Sequence, residues 1–167
     1  DVEQIEPPAF DRWRDTHLRM VGEAAWALQA SFVVSWFNTT GKKVAGKKYF
    51  PVVETKNFMP VQIIQSGPDS EWSAIRQLYF LMIMSAEKKL YMQSPFFIPD
   101  ESILEALKAA ALAGVDVQLM FTPRGSTYQI PYRAAHTYFQ EVVEAGAKVH
   151  LYEAGYFHPK PLNVDNT

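Results

Sequence analysis

The sequence predicts an α/β domain built on a mixed, mainly parallel sheet with helices on its faces. Three observations carry this. From residue 59 onward, short runs rich in β-branched and aromatic residues alternate with longer stretches of helical period, the pattern of βαβ units. Gly114 and Gly146 each stand where a helical stripe gives way to a strand-like run, a place where helices close on a left-handed residue. Of 167 residues, 48% are apolar and 14% aromatic, enough for the core of one domain or one and a half.

Residues 1–12 are Pro-containing and acidic and read as a loop. Thr16-His17-Leu18-Arg19-Met20-Val21 is predicted as a strand, with Thr16, Leu18 and Met20 on one face. Gly22 ends it. Glu23 to Asn38 is predicted as a helix striped by Ala25, Leu28, Phe32 and Trp36. It is apolar well beyond that stripe, so a buried helix is expected, with a membrane-surface helix as the alternative. Residues 39–59 are linker-like. Lys42, Lys43, Lys47 and Lys48 fall there and read as a solvated loop; against anionic lipid, each would contribute about 1 kcal/mol.

Val61-Gln62-Ile63-Ile64-Gln65 is the next predicted strand. Ser66-Gly67-Pro68-Asp69-Ser70 is a turn whose last residue caps a helix, with Glu71 favourable in the first turn. That helix covers about 70–86 and turns Ile75, Leu78, Tyr79, Met82 and Ala86 inward. Leu90-Tyr91-Met92-Gln93-Ser94 is a strand, and Pro95-Phe96-Phe97-Ile98-Pro99 a loop. Asp100 caps a helix over about 101–113, with Ile103, Leu104, Leu107 and Ala111 inward. Asp116-Val117-Gln118-Leu119-Met120-Phe121 is a strand, 131–145 a helix, and Lys148-Val149-His150-Leu151-Tyr152 a strand.

Composition narrows the function. A net charge of −2 is unlike the basic character of a dedicated nucleic-acid binder. Without Cys there is no disulfide framework and no Cys-based metal site. No apolar run reaches the ~18–20 residues of a bilayer span. The longest, Ala24 to Phe37, is interrupted by Gln29, Ser31 and Ser35. The start at Asp1 is neither a signal nor a transit peptide, and both ends read as cut from something longer.

The last ten residues run His158-Pro159-Lys160-Pro161-Leu162-Asn163-Val164-Asp165-Asn166-Thr167. They contain H-x-K-x-x-x-x-D. In an extended strand, His158 and Lys160 share a face. An imidazole beside an ammonium suits a phosphate ester: a nucleophile or acid for phosphorus and a cation for its oxygens. The chance expectation of the pattern in this composition is on the order of one in a hundred. The same residues would also serve as ordinary charges on a partly buried strand. Asp165 lies on the opposite face by parity. Pro159 and Pro161 remove two N–H groups from one edge, so the strand must lie at an edge or be distorted. Residues before proline favour extended backbone, so the His158–Lys160 pairing can survive.

Among the other histidines, none has a Lys two residues on. His17 reads as structural, His136 as packed or surface, and His150 as exposed. Asp100 and Glu101 read as helix N-terminal residues. Phe96 and Phe97 would line a lipid-facing mouth or pack in the core.

Five stretches together resemble the bacterial cardiolipin synthases of the phospholipase D superfamily, over about Trp13 to Asp165. They are Trp13-Arg14-Asp15-Thr16-His17, the 66–70 turn, Ser94-Pro95-Phe96-Phe97-Ile98-Pro99-Asp100-Glu101, Tyr138-Phe139 to Gly146, and the H-x-K-x-x-x-x-D run. The resemblance implies a phospholipase D-like α-β-α sandwich, truncated. Residues 1–57 would be the tail of a first half plus linker. Residues 58–167 would be most of a second half, cut just after its motif.

The resemblance also implies phosphatidyl transfer without metal or cofactor: two phosphatidylglycerols yield cardiolipin and glycerol. One His forms a phosphatidyl-histidine, and the other protonates the leaving alcohol and activates the incoming one. His158, Lys160 and Asp165 would be the catalytic residues, Asp165 in an orienting or structural role. The implied partners are anionic phospholipid, the N-terminal half of the same polypeptide and a membrane surface. The parent protein would sit at the bacterial cell membrane, and this chain alone would be soluble. Pro159, Pro161 and Asn163 depart from the family's usual residues.

Two other readings remain open: a one-motif phosphodiesterase or nuclease that completes its site as a homodimer, and a folded module without catalysis. Nucleic acid is not expected as a partner.

Overall fold

The computed structural model describes residues 12–54, 59–68, 70–122 and 129–165. They divide into two compact units, His17–Ala74, and Asp1–Thr16 with Ile75–Thr167.

In the first of these units, helix α1 spans Ala24–Thr40 and closes at Gly41, whose φ of 67° is the left-handed value a helix end takes. A 3-10 turn follows at Lys47–Tyr49. The Trp26 indole donates to the Pro51 carbonyl at 2.9 Å, tying the following segment back to the helix. The helix is present as expected, but its expected burial is not: none of its residues is buried, and Leu28, Phe32, Val34, Trp36 and Phe37 are exposed. Its apolar side chains point all round the axis, leaving no polar face to turn to water. The four lysines after it are exposed, as a solvated loop requires. The strand expected at 61–65 does not form. The run is β-branched, but no described strand pairs with it, and Val61 stays exposed.

The second unit holds the sheet. Strand β1 is Trp13–Arg14, β2 Lys89–Gln93, β3 Asp116–Phe121, β4 Lys148–Leu151, β5 Tyr156–Phe157 and β6 Leu162–Val164. The four-stranded sheet runs β4-β3-β2-β6, its first three strands parallel and β6 antiparallel. β1 and β5 pair in parallel as a separate two-stranded sheet. The expected α/β class and mixed, mainly parallel sheet stand. The strand expected over 16–21 is corrected to β1, a few residues earlier. Past it, the Asp15 carboxylate accepts from the Thr16 N–H at 2.9 Å, and Leu18 and Val21 are exposed.

Helix α2 covers Ala74–Met84, α3 Glu101–Leu112 and α4 Gln129–Glu144. α2 starts later than expected because Ser70 is used elsewhere. Its hydroxyl accepts from the Gly67 N–H at 2.8 Å and its own N–H donates to the Gly67 carbonyl at 3.0 Å, closing a turn. The inward stripe of α2 is kept in part. Ile83 is buried, with Tyr79 and Ala86 packed on the core, whereas Ile75 is exposed. α3 begins as predicted: the Asp100 carboxylate accepts from the N–H groups of Ser102 and Ile103, and Ile103, Leu104 and Leu107 are buried. Gly114 and Gly146 carry the positive φ expected after α3 and α4.

Leu90 of β2 stands beside Val117 of β3 and Val164 of β6, so these side chains share one sheet face. Val117, Leu119 and Phe121 alternate inward along β3. They join Ile83, Leu107, Val142 and Phe97 in one core. The Phe97 ring lies tilted against Phe121 at 4.8 Å and stacked on Phe139 at 5.8 Å, so Phe97 is core. Among the described residues no helix is long and apolar enough to cross a membrane.

Candidate functional site

The H-x-K-x-x-x-x-D run is not one strand. It leaves β5 at Phe157, crosses residues 158–161 outside any strand, and enters β6 at Leu162. Backbone parity explains the break. The Pro161 carbonyl accepts from the Gln93 N–H at 2.9 Å and the Asp165 N–H donates to Lys89 at 2.8 Å, so odd residues face β2. Pro159 and Pro161 have no N–H to offer on that side. The ladder therefore begins only at Leu162. Even residues face the other way: the N–H groups of Tyr156 and His158 donate to Arg12 and Arg14 at 2.7 and 2.9 Å. The run thus pairs with β1 at its start and β2 at its end. The expected edge position and distortion both occur, since β6 is an outer strand.

His158 and Lys160 still come together. Pro159 is buried while Lys160 is exposed and His158 intermediate, the alternation of an extended segment. Lys160 Nζ lies 3.0 Å from His158 Nε2, 3.3 Å from Nδ1 and 2.9 Å from the His158 carbonyl. On its other side the imidazole meets Asp15, with Nδ1 3.1 Å from Oδ2. The His158 and Asp15 side chains are 35% and 31% exposed, so solvent screens the contact but reagents can reach it. The hydrogen bond from His158, then that from the Thr16 N–H, holds the Asp15 carboxyl below its usual range. Asp15 is therefore ionised near neutrality and can only accept. The neutral imidazole must carry its proton on Nδ1 to make this bond, which leaves the free lone pair on Nε2, the ring nitrogen nearer Lys160 Nζ. The Trp13 and Tyr156 rings flank the imidazole, at 5.2 and 5.9 Å between centroids.

Asp165 is not brought to this pair. It follows β6 with φ 54°, and its carboxylate accepts from the N–H groups of Glu87, Lys88 and Lys89 at 3.1, 2.8 and 2.9 Å. Those three donors, Lys89 first, hold its carboxyl below the ordinary value. It ties the end of β6 to the start of β2. Of the remaining histidines, His17 and His150 are exposed, and His136 is exposed with its ring edge-on to Phe139. Asp100 caps α3 and receives Arg76 in a bidentate pair at 2.7 and 3.0 Å.

The sequence pointed to no role for Asp15 or Thr122 and only to a core position for Tyr79, although all three touch the site segment. Asp15 lies in the Trp13-to-His17 stretch already singled out; placing the strand at 16–21 hid its position at the end of β1. Tyr79 and Thr122 bond only to main-chain carbonyls, and that leaves no pattern in a sequence.

Residues 79–167 match the family described as "Cardiolipin synthase, PLD-like domain". The cardiolipin synthase of Listeria welshimeri is 46% identical over 158 residues, covering 93% of this chain and 33% of that protein. The cardiolipin synthase of Geobacillus thermodenitrificans is 44% identical over 158 residues, covering 93% of this chain and 31% of that protein. The chain therefore spans about a third of the length of these relatives. A solved structure, the phospholipase D family member Nuc from Salmonella typhimurium, is 28% identical with a TM-score of 0.48. It covers 55% of this chain, which covers 58% of it.

Proposed function

Because the chain belongs to the family of phospholipase D-like domains of cardiolipin synthases, we propose that His158 and Lys160 are half of a phosphatidyl-transfer site. The observation that carries this is the placement of Lys160 Nζ 3.0 Å from His158 Nε2, with Nδ1 turned to Asp15. A lone pair beside a fixed cation suits in-line attack on a phosphodiester whose oxygens the cation neutralises.

The substrate is phosphatidylglycerol and the polypeptide a longer one that contains this chain. One of two imidazoles attacks phosphorus, and the P–O bond to glycerol breaks. The other imidazole gives the leaving oxygen its proton. It then takes the proton of a hydroxyl on a second phosphatidylglycerol, whose oxygen displaces the first imidazole. Cardiolipin leaves and both histidines are restored. Lys160 balances the charge of the phosphoryl oxygens. Asp165 serves this site from behind, by anchoring β6 to the 87–89 segment.

The same reading makes residues 1–57 the tail of a first half and 58–167 most of a second. α1 supports it: a helix apolar on all sides, with no residue buried, needs a covering layer from elsewhere. The second imidazole, the membrane contact and the partner surface belong to that longer protein.

The test is His158→Ala in the longer polypeptide, assayed for cardiolipin made from phosphatidylglycerol. Turnover should vanish while circular dichroism stays unchanged. Turnover at the unsubstituted rate would remove His158 from the mechanism.

A further inference from the structure

The prolines that flank Lys160 leave a mechanical question. Their rings fix φ near −65°, which sets the local shape of the segment but not its position over the sheet. Between the last bond to β1, from the His158 N–H, and the first to β2, at the Pro161 carbonyl, no strand ladder holds the chain. Yet three carbonyls in and just before this stretch have side-chain donors. Lys160 Nζ donates to the His158 carbonyl at 2.9 Å. The Thr122 hydroxyl donates to the Phe157 carbonyl at 2.8 Å. The Tyr79 phenol donates to the Lys160 carbonyl at 3.1 Å.

Both external donors are rooted in the core. Thr122 directly follows β3 and is the buried polar residue among the described ones, 5% exposed. A hydroxyl so placed must find a partner, and it takes the carbonyl next to His158. Tyr79 sits on α2 with its ring packed on the core. Burial raises its pKa, so the phenol keeps the proton it donates. The two hydroxyls grip the carbonyls on either side of the His158–Pro159 pair.

We propose that Tyr79 and Thr122 are positioning residues that hold the segment across the break left by Pro159 and Pro161, Thr122 from the edge of the odd residues and Tyr79 from that of the even ones, and so keep His158 and Lys160 side by side over the sheet. This rests on the reading of that pair as a phosphoryl-transfer site. The hydroxyls touch no reacting atom; they act through the backbone that carries both side chains, as a rigid supporting shell does.

The experiment uses this chain and reads geometry rather than turnover. The nuclear Overhauser effect between the His158 ring and the Lys160 side-chain methylenes is measured in the unsubstituted chain and in Tyr79→Phe, Thr122→Val and Thr122→Ser. The cross-peak should be strong in the unsubstituted chain and fall at least threefold in Tyr79→Phe and Thr122→Val. It should persist in Thr122→Ser, which keeps the hydroxyl. Amide protection at Asn163 and Asp165, in and beside the β2–β6 ladder, should stay as it was. Tyr91→Phe, which removes a phenol bonded to Asp116 instead, should leave the cross-peak intact.

An undiminished cross-peak in Tyr79→Phe overturns the proposal, as does its absence from the unsubstituted chain. If Thr122→Val does not fold, Tyr79→Phe alone decides. A titration with inorganic phosphate separates the two readings. Failure of phosphate to shift the His158 and Lys160 signals counts against the transfer site. Binding of phosphate, with a cross-peak indifferent to both hydroxyls, counts against the positioning residues alone.

Discussion

A neutral imidazole can donate from only one of its nitrogens, and the contact with Asp15 decides which. Asp15 accepts, so Nδ1 holds the proton and the lone pair is on Nε2, 3.0 Å from Lys160 Nζ. The two neighbours therefore have separable roles. In the proposed transfer, Lys160 supplies charge to the phosphoryl oxygens. Lys160→Ala in the longer polypeptide should lower kcat by about 10²- to 10³-fold, the usual cost of a lost oxyanion donor. Asp15 sets tautomer and ring orientation. Asp15→Asn should lower kcat by about tenfold or more with little change in KM, because the amide presents a donor to Nδ1 as readily as an acceptor. Steady-state assays of cardiolipin formation check both. An unchanged kcat in Asp15→Asn would show that the orientation of His158 is secured without it.

At the scale of the elements, carboxylates hold the joints. Asp100 caps α3 and pairs with Arg76 of α2. Asp100→Ala should cost about 1 kcal/mol, typical of an N-cap, read as a lower midpoint in urea with an unchanged slope. Asp116 joins three strands: it accepts from Tyr91 of β2 and Gln118 of β3 and pairs with Lys148 of β4. Lys148 first, then Gln118 and Tyr91, bring its carboxyl down to about 2. Asp165 is lowered by its three backbone donors. An unfolded Asp titrates near about 3.9. The unfolded chain thus takes up these protons first as pH falls. The stability these groups contribute is complete above about pH 4–5 and is lost as pH falls through their folded values, toward about 2 for Asp116. Thermal unfolding between pH 2 and 7 should show a steep acid limb. In Asp165→Asn the limb should flatten and the neutral-pH midpoint drop. A limb of the same slope in that variant would assign the acid sensitivity elsewhere.

For the whole molecule, in-line displacement needs a nucleophile on one side of phosphorus and an acid on the other. The chain has one His with a Lys two residues on, and His17, His136 and His150 are exposed. The chain by itself should therefore show no phosphatidyl transfer with phosphatidylglycerol in micelles. Activity should return on adding, in trans, the N-terminal half of the longer protein. Turnover by the chain alone, lost in His158→Ala, would instead favour a homodimer that brings two copies of His158 together.

The sequence by itself determined the parts whose cause is local. α3 and its Asp100 cap, the positive φ of Gly114 and Gly146, and strands β2, β3 and β4 follow from periodicity and from side chains that bond within three residues. The pairing of His158 with Lys160 follows from extended backbone before proline. Only the tertiary structure decided the rest, because partners far along the chain compete for the same groups. The run at 61–65 has strand propensity but no strand to pair with. Ser70 has a capping side chain, but a turn uses it. α2 keeps Tyr79 and Ala86 of its expected stripe on the core, but Ile83 is its buried residue and Ile75 is exposed. Asp165 could have stood anywhere near the histidine until three N–H groups from residues 87–89 claimed its carboxylate. Asp15 reaches His158 across more than 140 residues because β1 pairs with β5, and local pattern does not encode long-range strand pairing.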